Sequence, residues 1–141
     1  MKKILFATDG SDSSKESVKM LVELMNAWPT AEVEALYVTQ IFTGRFSGPE
    51  LTMDYERELF QSIQQELADE LKPELLARVH FRHETAPKQP SIVICEVAEM
   101  DGADLIVIGS HGRSAADRLV LGSVSHGVLN RSHVPVFVIR K

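Results

Sequence analysis

Apolar positions follow two alternating rhythms along this chain. The opening run Ile4-Leu5-Phe6-Ala7-Thr8 is short and unbroken, and Asp9-Gly10 closes it, which predicts a buried strand running into a turn. Ser13 and Glu16 have the spacing of a capping box. Val18, Leu21, Val22, Met25 and Trp28 then recur on one helical face until Pro29, predicting a helix with that whole stripe in the core. The segment VEALYVT over 33–39 reads as a second strand. Residues 40–50, with two glycines and a proline, read as a surface loop, either a lid or binding loop or a connection with no specific task. Phe60, Ile63, Leu67 and Leu71 keep a helical beat among acidic positions from about 51 to 71, and Pro73 interrupts it.

Beyond Pro73 the period changes. Val79, Phe81 and His83 alternate with His80, Arg82 and Glu84, as in a half-exposed edge strand; this places His80 and His83 on opposite faces, unsuited to one metal site. A helix is expected over 91–100, introduced by Pro90 and ended by Gly102. The branched-aliphatic run over 104–109 has the composition of a strand buried on both faces. A last helix over 122–132 and a last strand from Val134 through Ile139, with Pro135 where a missing N–H is tolerated, complete the pattern. Strands and helices alternate throughout, which predicts an α/β fold: parallel strands with helices on both faces, doubly wound into a three-layer sandwich. Such folds bind ligands beyond the carboxyl ends of their strands, where the winding reverses. The two strand ends with unusual chemistry are Asp9-Gly10-Ser11 and the stretch from Gly109 onward.

A chain of 141 residues is the size of one domain, and nothing in its composition suggests a disordered tail. The net charge of −5, with lysines and arginines scattered, speaks against a nucleic-acid surface. Residues 1–7 resemble a leader only superficially, because Thr8-Asp9-Gly10 stops the apolar run, and no stretch approaches the roughly 20 apolar residues that span a bilayer. A lone cysteine, Cys95, cannot form an internal disulfide, so the expected location is the cytoplasm. Within the run Ile92-Val93-Ile94-Cys95 it reads as an inert core thiol, with a reactive role as the alternative.

The chemistry concentrates after the fourth strand, where the sequence is GSHGRSAADRLVLGSVS. A polyphosphate is held closely only where side chains are absent, several backbone N–H groups converge and a helix start adds its positive end. Gly109 and Gly112 permit that approach; Gly122, Ser123 and Val124 supply the helix start, and the hydroxyls of Ser123 and Ser125 are further donors. The alternative is that Gly109 merely ends a strand and Gly122 merely begins a helix. His111 and Arg113 either meet phosphate oxygens or only water, and Asp9 before Gly-Ser is either a ligand group or an ordinary turn residue.

Taken together, Asp9-Gly10-Ser11, the strand ADLIVIG ending at Gly109, the spacing G-x2-G-x9-G-[ST] and the closing P-V-x-V at Pro135 resemble the universal stress protein family along the whole chain. The resemblance implies a five-stranded parallel sheet in the order 3-2-1-4-5. It implies ATP as ligand, with adenine near Ala7, Thr8, Asp9 and the backbone of Val38, and phosphates on Gly109, Gly112, Gly122, Ser123, Val124 and Ser125. Two features depart from the pattern: residues 84–90 lack the glycine of a common Gly-x-Pro, and Ala115 stands where glycine is frequent. Three functions remain as alternatives: a nucleotide-dependent regulatory or stress-response protein, a slow ATPase or adenylyl-transferring enzyme, and a dimeric scaffold that binds no nucleotide. The enzyme reading lacks a P-loop lysine and a positioned general base. Mg²⁺ or Mn²⁺ is a companion of ATP rather than of a carboxylate cluster in the chain. The apolar last strand, from Val134 through Ile139, is expected to pair with its copy in a homodimer.

Overall fold

The computed structural model describes residues 1–9, 13–42, 49–110 and 121–140, with side chains throughout except at 13–15 and 49–52. Strands β1 (Lys3–Ala7), β2 (Glu32–Gln40), β3 (Val79–Ala86), β4 (Leu105–Gly109) and β5 (Val136–Ile139) alternate with helices α1 (Ser13–Ala27), α2 (Pro49–Glu70), α3 (Pro73–Leu76), α4 (Pro90–Met100) and α5 (Ser123–Arg131). The strands form one five-stranded sheet in the order β3-β2-β1-β4-β5, and every pairing is parallel. That is the order and class the sequence resemblance implies. Among the described residues, no helix is long and apolar enough to cross a membrane.

Strand alternation divides the core into two layers. On one side of the sheet Ile4, Phe6, Val33, Tyr37 and Val107 pack against α1 and α2 through Leu21, Met25, Ile63 and Leu67. On the other Leu5, Ala7, Leu36, Ile106 and Ile108 pack against α4 and α5 through Val93, Ile94, Val97 and Val128. Because β1 and β4 are covered on both faces, their sequences are unbroken apolar runs rather than alternating ones. Their amino ends are locked together by Asp104, whose carboxylate accepts the N–H of Lys2 at 2.8 Å and of Lys3 at 2.9 Å while its own N–H reaches the Lys3 carbonyl at 2.8 Å. Those two amide donors hold the Asp104 carboxyl below its ordinary range.

Three local expectations are corrected. Trp28 lies outside the core, 37% exposed, because α1 ends at Ala27 and the chain leaves the helix before the stripe reaches it. Pro73 does not only interrupt α2; it opens the short helix α3 as a first-turn proline. The last strand runs only from Val136, its ladder to β4 opening with Ile106 N–H donating to the Pro135 carbonyl at 2.9 Å, after a turn in which Ser132 Oγ donates to the Val134 carbonyl at 2.6 Å. The loop reading for 40–50 falls largely on 43–48, outside the described residues.

The two sheet edges differ in chemistry. On β3, Arg82 bridges Glu84 at 2.7 Å, Glu34 at 3.0 Å and Asp101 at 2.7 Å, so this edge strand carries a cluster of charged side chains. On β5 the residues are Val136, Phe137, Val138 and Ile139, with no charge among them.

Candidate functional site at the carboxyl edge of the sheet

β1 and β4 are neighbours, Ala7 pairing with Ile108, yet the helices that come after them lie on opposite faces. The winding therefore reverses between them and leaves a crevice beyond their carboxyl ends. Thr8 and Asp9 stand on one side of it; Gly109 and Ser110 stand on the other, with Ser110 N–H bonded to the Ile139 carbonyl at 2.9 Å. The chain returns to this place at Gly122, whose N–H donates to the Ser110 carbonyl at 2.7 Å. Ser125 Oγ lies 3.0 Å from that same carbonyl and 3.0 Å from the Gly122 carbonyl, and its side chain is buried. Its hydroxyl therefore braces the base of the excursion, and what it can offer a ligand is its main-chain N–H.

Gly122 is the N-cap of α5, in an extended conformation, with no side-chain cap. The first helical hydrogen bond runs from His126 N–H to the Gly122 carbonyl at 2.9 Å. The N–H groups of Ser123, Val124 and Ser125 thus precede the helical ladder, and the helix dipole adds positive potential there. Ser123 is exposed, whereas Val124 and Val38 are each partly buried against the cluster on the α4 and α5 side that contains Ala7. Ala7, Val38, Gly109, Gly122, Ser123 and Val124 are therefore gathered around one sheet edge. Gly10, Ser11, His111, Gly112 and Arg113 lie outside the described residues. Among the described residues no group of three or more His, Cys, Asp or Glu side chains could hold a metal ion.

Sequence reasoning missed a second polar cluster beside this edge. Tyr37 Oη and Thr39 Oγ1 both donate to Glu56 Oε2 of α2, the latter at 3.1 Å, and Thr39 Oγ1 lies 2.7 Å from His83 Nε2 of β3. The His83 ring packs against Tyr37 and Phe60 at centroid distances of 5.0 and 5.1 Å. Burial pushes the His83 pKa below its ordinary value, with Arg57 acting the same way and Glu56 and Glu84 partly offsetting them. A signal did exist: Glu56 stands four residues before Phe60, on the apolar face that continues through Ile63 and Leu67. The sign of its pH effect comes from the lowered pKa. Neutral His83 favours the fold above the unfolded value of 6.5, and that contribution is lost as pH falls below it, because the unfolded chain takes the proton first. Between about pH 7 and about pH 5.5 the wild-type Tm should fall more steeply than that of His83→Gln, which keeps a donor but cannot titrate. Parallel slopes would contradict this.

Cys95 is buried, with Sγ 3.9 Å from the Val128 carbonyl, and burial pushes its thiol pKa upward. That is the setting of an unreactive core thiol.

The profile described as the Universal stress protein family matches residues 1–140. The chain belongs to that family. Universal stress protein MJ0531 of Methanocaldococcus jannaschii is 34% identical over 143 residues, covering 99% of this chain and 82% of its own length. Among solved universal stress proteins, one in complex with cAMP superposes with a TM-score of 0.74 at 24% identity, covering 99% of this chain and 97% of the other. Another, from Archaeoglobus fulgidus in complex with dAMP, gives 0.71 at 19% identity, covering 99% and 98%. At those identities the likeness to the two structures is one of fold.

Proposed function

We propose that this universal stress protein binds an adenine nucleotide, ATP in the first instance, in the crevice beyond β1 and β4, and acts as a nucleotide-dependent regulatory protein in the stress response. The observation that carries this reading is the amino end of α5. Gly122 brings no side chain to it, and the N–H groups of Ser123, Val124 and Ser125 stand ahead of the helical ladder at the point where the sheet's winding reverses. The cAMP and dAMP complexes of two fold relatives add support. In this reading Ala7, Thr8, Asp9 and the main chain of Val38 hold the adenosine. Gly109, His111, Gly112, Arg113, Gly122 and Ser123 to Ser125 hold the phosphates, and Mg²⁺ or Mn²⁺ arrives with the nucleotide. The regulatory signal is the difference between the bound and free surfaces of this edge.

Binding to the folded state alone stabilises it by about 2.7 kcal/mol at roughly a hundredfold excess over Kd, so ATP should raise Tm by several degrees. Asp9→Ala and Gly112→Val should each suppress that rise. A melting curve unmoved by millimolar ATP removes the reading.

We also propose a homodimer formed by pairing β5 with its copy. β5 is an edge strand without charge, Phe137 is 38% exposed, and the opposite edge is guarded by the ion pairs of Arg82. Light scattering at micromolar concentration should give the mass of two chains for the wild type and of one for Phe137→Lys. A monomeric wild type refutes the pairing.

A further inference from the structure

The end of β2 carries two sets of interactions on its two faces. Val38 packs on the α4 and α5 side, against the cluster that contains Ala7, while Tyr37 and Thr39 face α2. Thr39 is 5% exposed, and a hydroxyl has a single proton to give. That proton goes to Glu56 Oε2 at 3.1 Å, so in the 2.7 Å contact with His83 it is Nε2–H that donates. One threonine side chain is thereby tied to α2 on one side and to β3 on the other.

This arrangement is an unusual choice for stability alone. Farther back on the same face of β2 stand Val33 and Ala35, both buried and apolar. Apolar side chains at 39, 56 and 83 together would fill this partly buried space, and replacing a whole polar set in that way is often near neutral in stability. Two directed hydrogen bonds on one hydroxyl add direction instead. They fix where the strand end sits and which way it points.

We propose that Thr39, held between Glu56 and His83, is a positioning residue for the carboxyl end of β2: it sets where the Val38 main chain lies relative to Ala7 and Asp9, and through that the nucleotide affinity of the crevice. The affinity part rests on the nucleotide reading above; the positioning part does not. Thr39→Val leaves His83 Nε2–H without its acceptor and Glu56 without one of its two hydroxyl donors, while keeping the shape of the side chain. Thr39→Ser restores the hydroxyl.

The test compares ATP binding by calorimetry with amide hydrogen exchange over 36–42 in the absence of nucleotide. Wild type, Thr39→Val and Thr39→Ser are measured at a temperature where all are folded. Arg78→Ala, which perturbs the opposite end of the sheet, serves as a control for destabilisation. Thr39→Val should weaken ATP about tenfold and Thr39→Ser by less than about twofold, with Arg78→Ala near wild type. Exchange over 36–42 should quicken in Thr39→Val by more than its loss of global stability accounts for, and in Arg78→Ala by no more than that. Wild-type affinity in Thr39→Val, or equal losses in the valine and serine variants, overturns the affinity claim. A wild type that binds no ATP overturns the nucleotide reading and the affinity claim together. In that event exchange in Thr39→Val faster than its global stability accounts for still supports the positioning role, and exchange that only tracks global stability overturns it.

Discussion

Gly127→Ala should destabilise the protein by about 1–2 kcal/mol, although alanine is the better helix former by about 1 kcal/mol. A Cβ on Gly127 would stand 2.6 Å from Ser91 Oγ and 2.7 Å from Ser91 Cβ. The hydroxyl can rotate away, but Ser91 Cβ cannot move unless the backbone of α4 moves, and Ser91 is buried in the first turn of that helix. Steric cost should therefore exceed the gain in propensity. The displacement falls on α5, one turn beyond the N–H groups proposed to hold phosphate, so ATP affinity should drop as well. Ser91→Gly removes both contacted atoms, and the double variant should recover part of the loss, more than the two single effects summed would allow. Urea denaturation checks the stability, and a Gly127→Ala protein as stable as wild type would show that the helices have slack.

Arg78→Ala should cost about 2–3 kcal/mol, the range for several hydrogen bonds from a charged donor, two of them part-buried. The Arg78 guanidinium donates to the Trp28 carbonyl at 3.1 Å, the Ala31 carbonyl at 2.9 Å and the Met25 carbonyl at 3.0 Å. Those carbonyls belong to the end of α1 and the turn after it, and the last turn of α1 contains no basic residue of its own. Arg78→Lys keeps a positive charge near the helix end but cannot span three acceptors, so it should fall between wild type and alanine. Equal midpoints for all three in urea would mean that water replaces the guanidinium without loss. Since Arg78 lies at the amino end of the sheet, its effect should appear in stability and not in ATP affinity.

These two contacts complement each other in the fold. Arg78 closes the far end of α1, which lies on one face, and the Gly127–Ser91 approach sets the seat of α5 on the other. The crevice between β1 and β4 is framed by α1 on the first face and α5 on the second, so its geometry depends on packing some distance from any ligand group.

Much of the architecture is legible in the order of the residues, because a buried strand and an amphipathic helix are local patterns that the chain carries wherever it folds. The aliphatic run ending at Gly109, the stripe from Val18 to Met25 and the start of α5 at Gly122 are all of this kind. So are the two glycine-bearing strand ends that drew attention to the carboxyl edge. Tertiary structure decided the rest, since each remaining feature joins residues far apart in the chain. Periodicity cannot say that β1 pairs with β4, that Trp28 is left outside while Arg78 reaches back 50 residues to cap its helix, or that Ser125 turns its hydroxyl inward. Nor can it say that Thr39 meets Glu56 and His83, 17 and 44 residues away. A hydrogen bond needs its partner within about 3 Å and in line, and only the folded chain brings such partners to that distance.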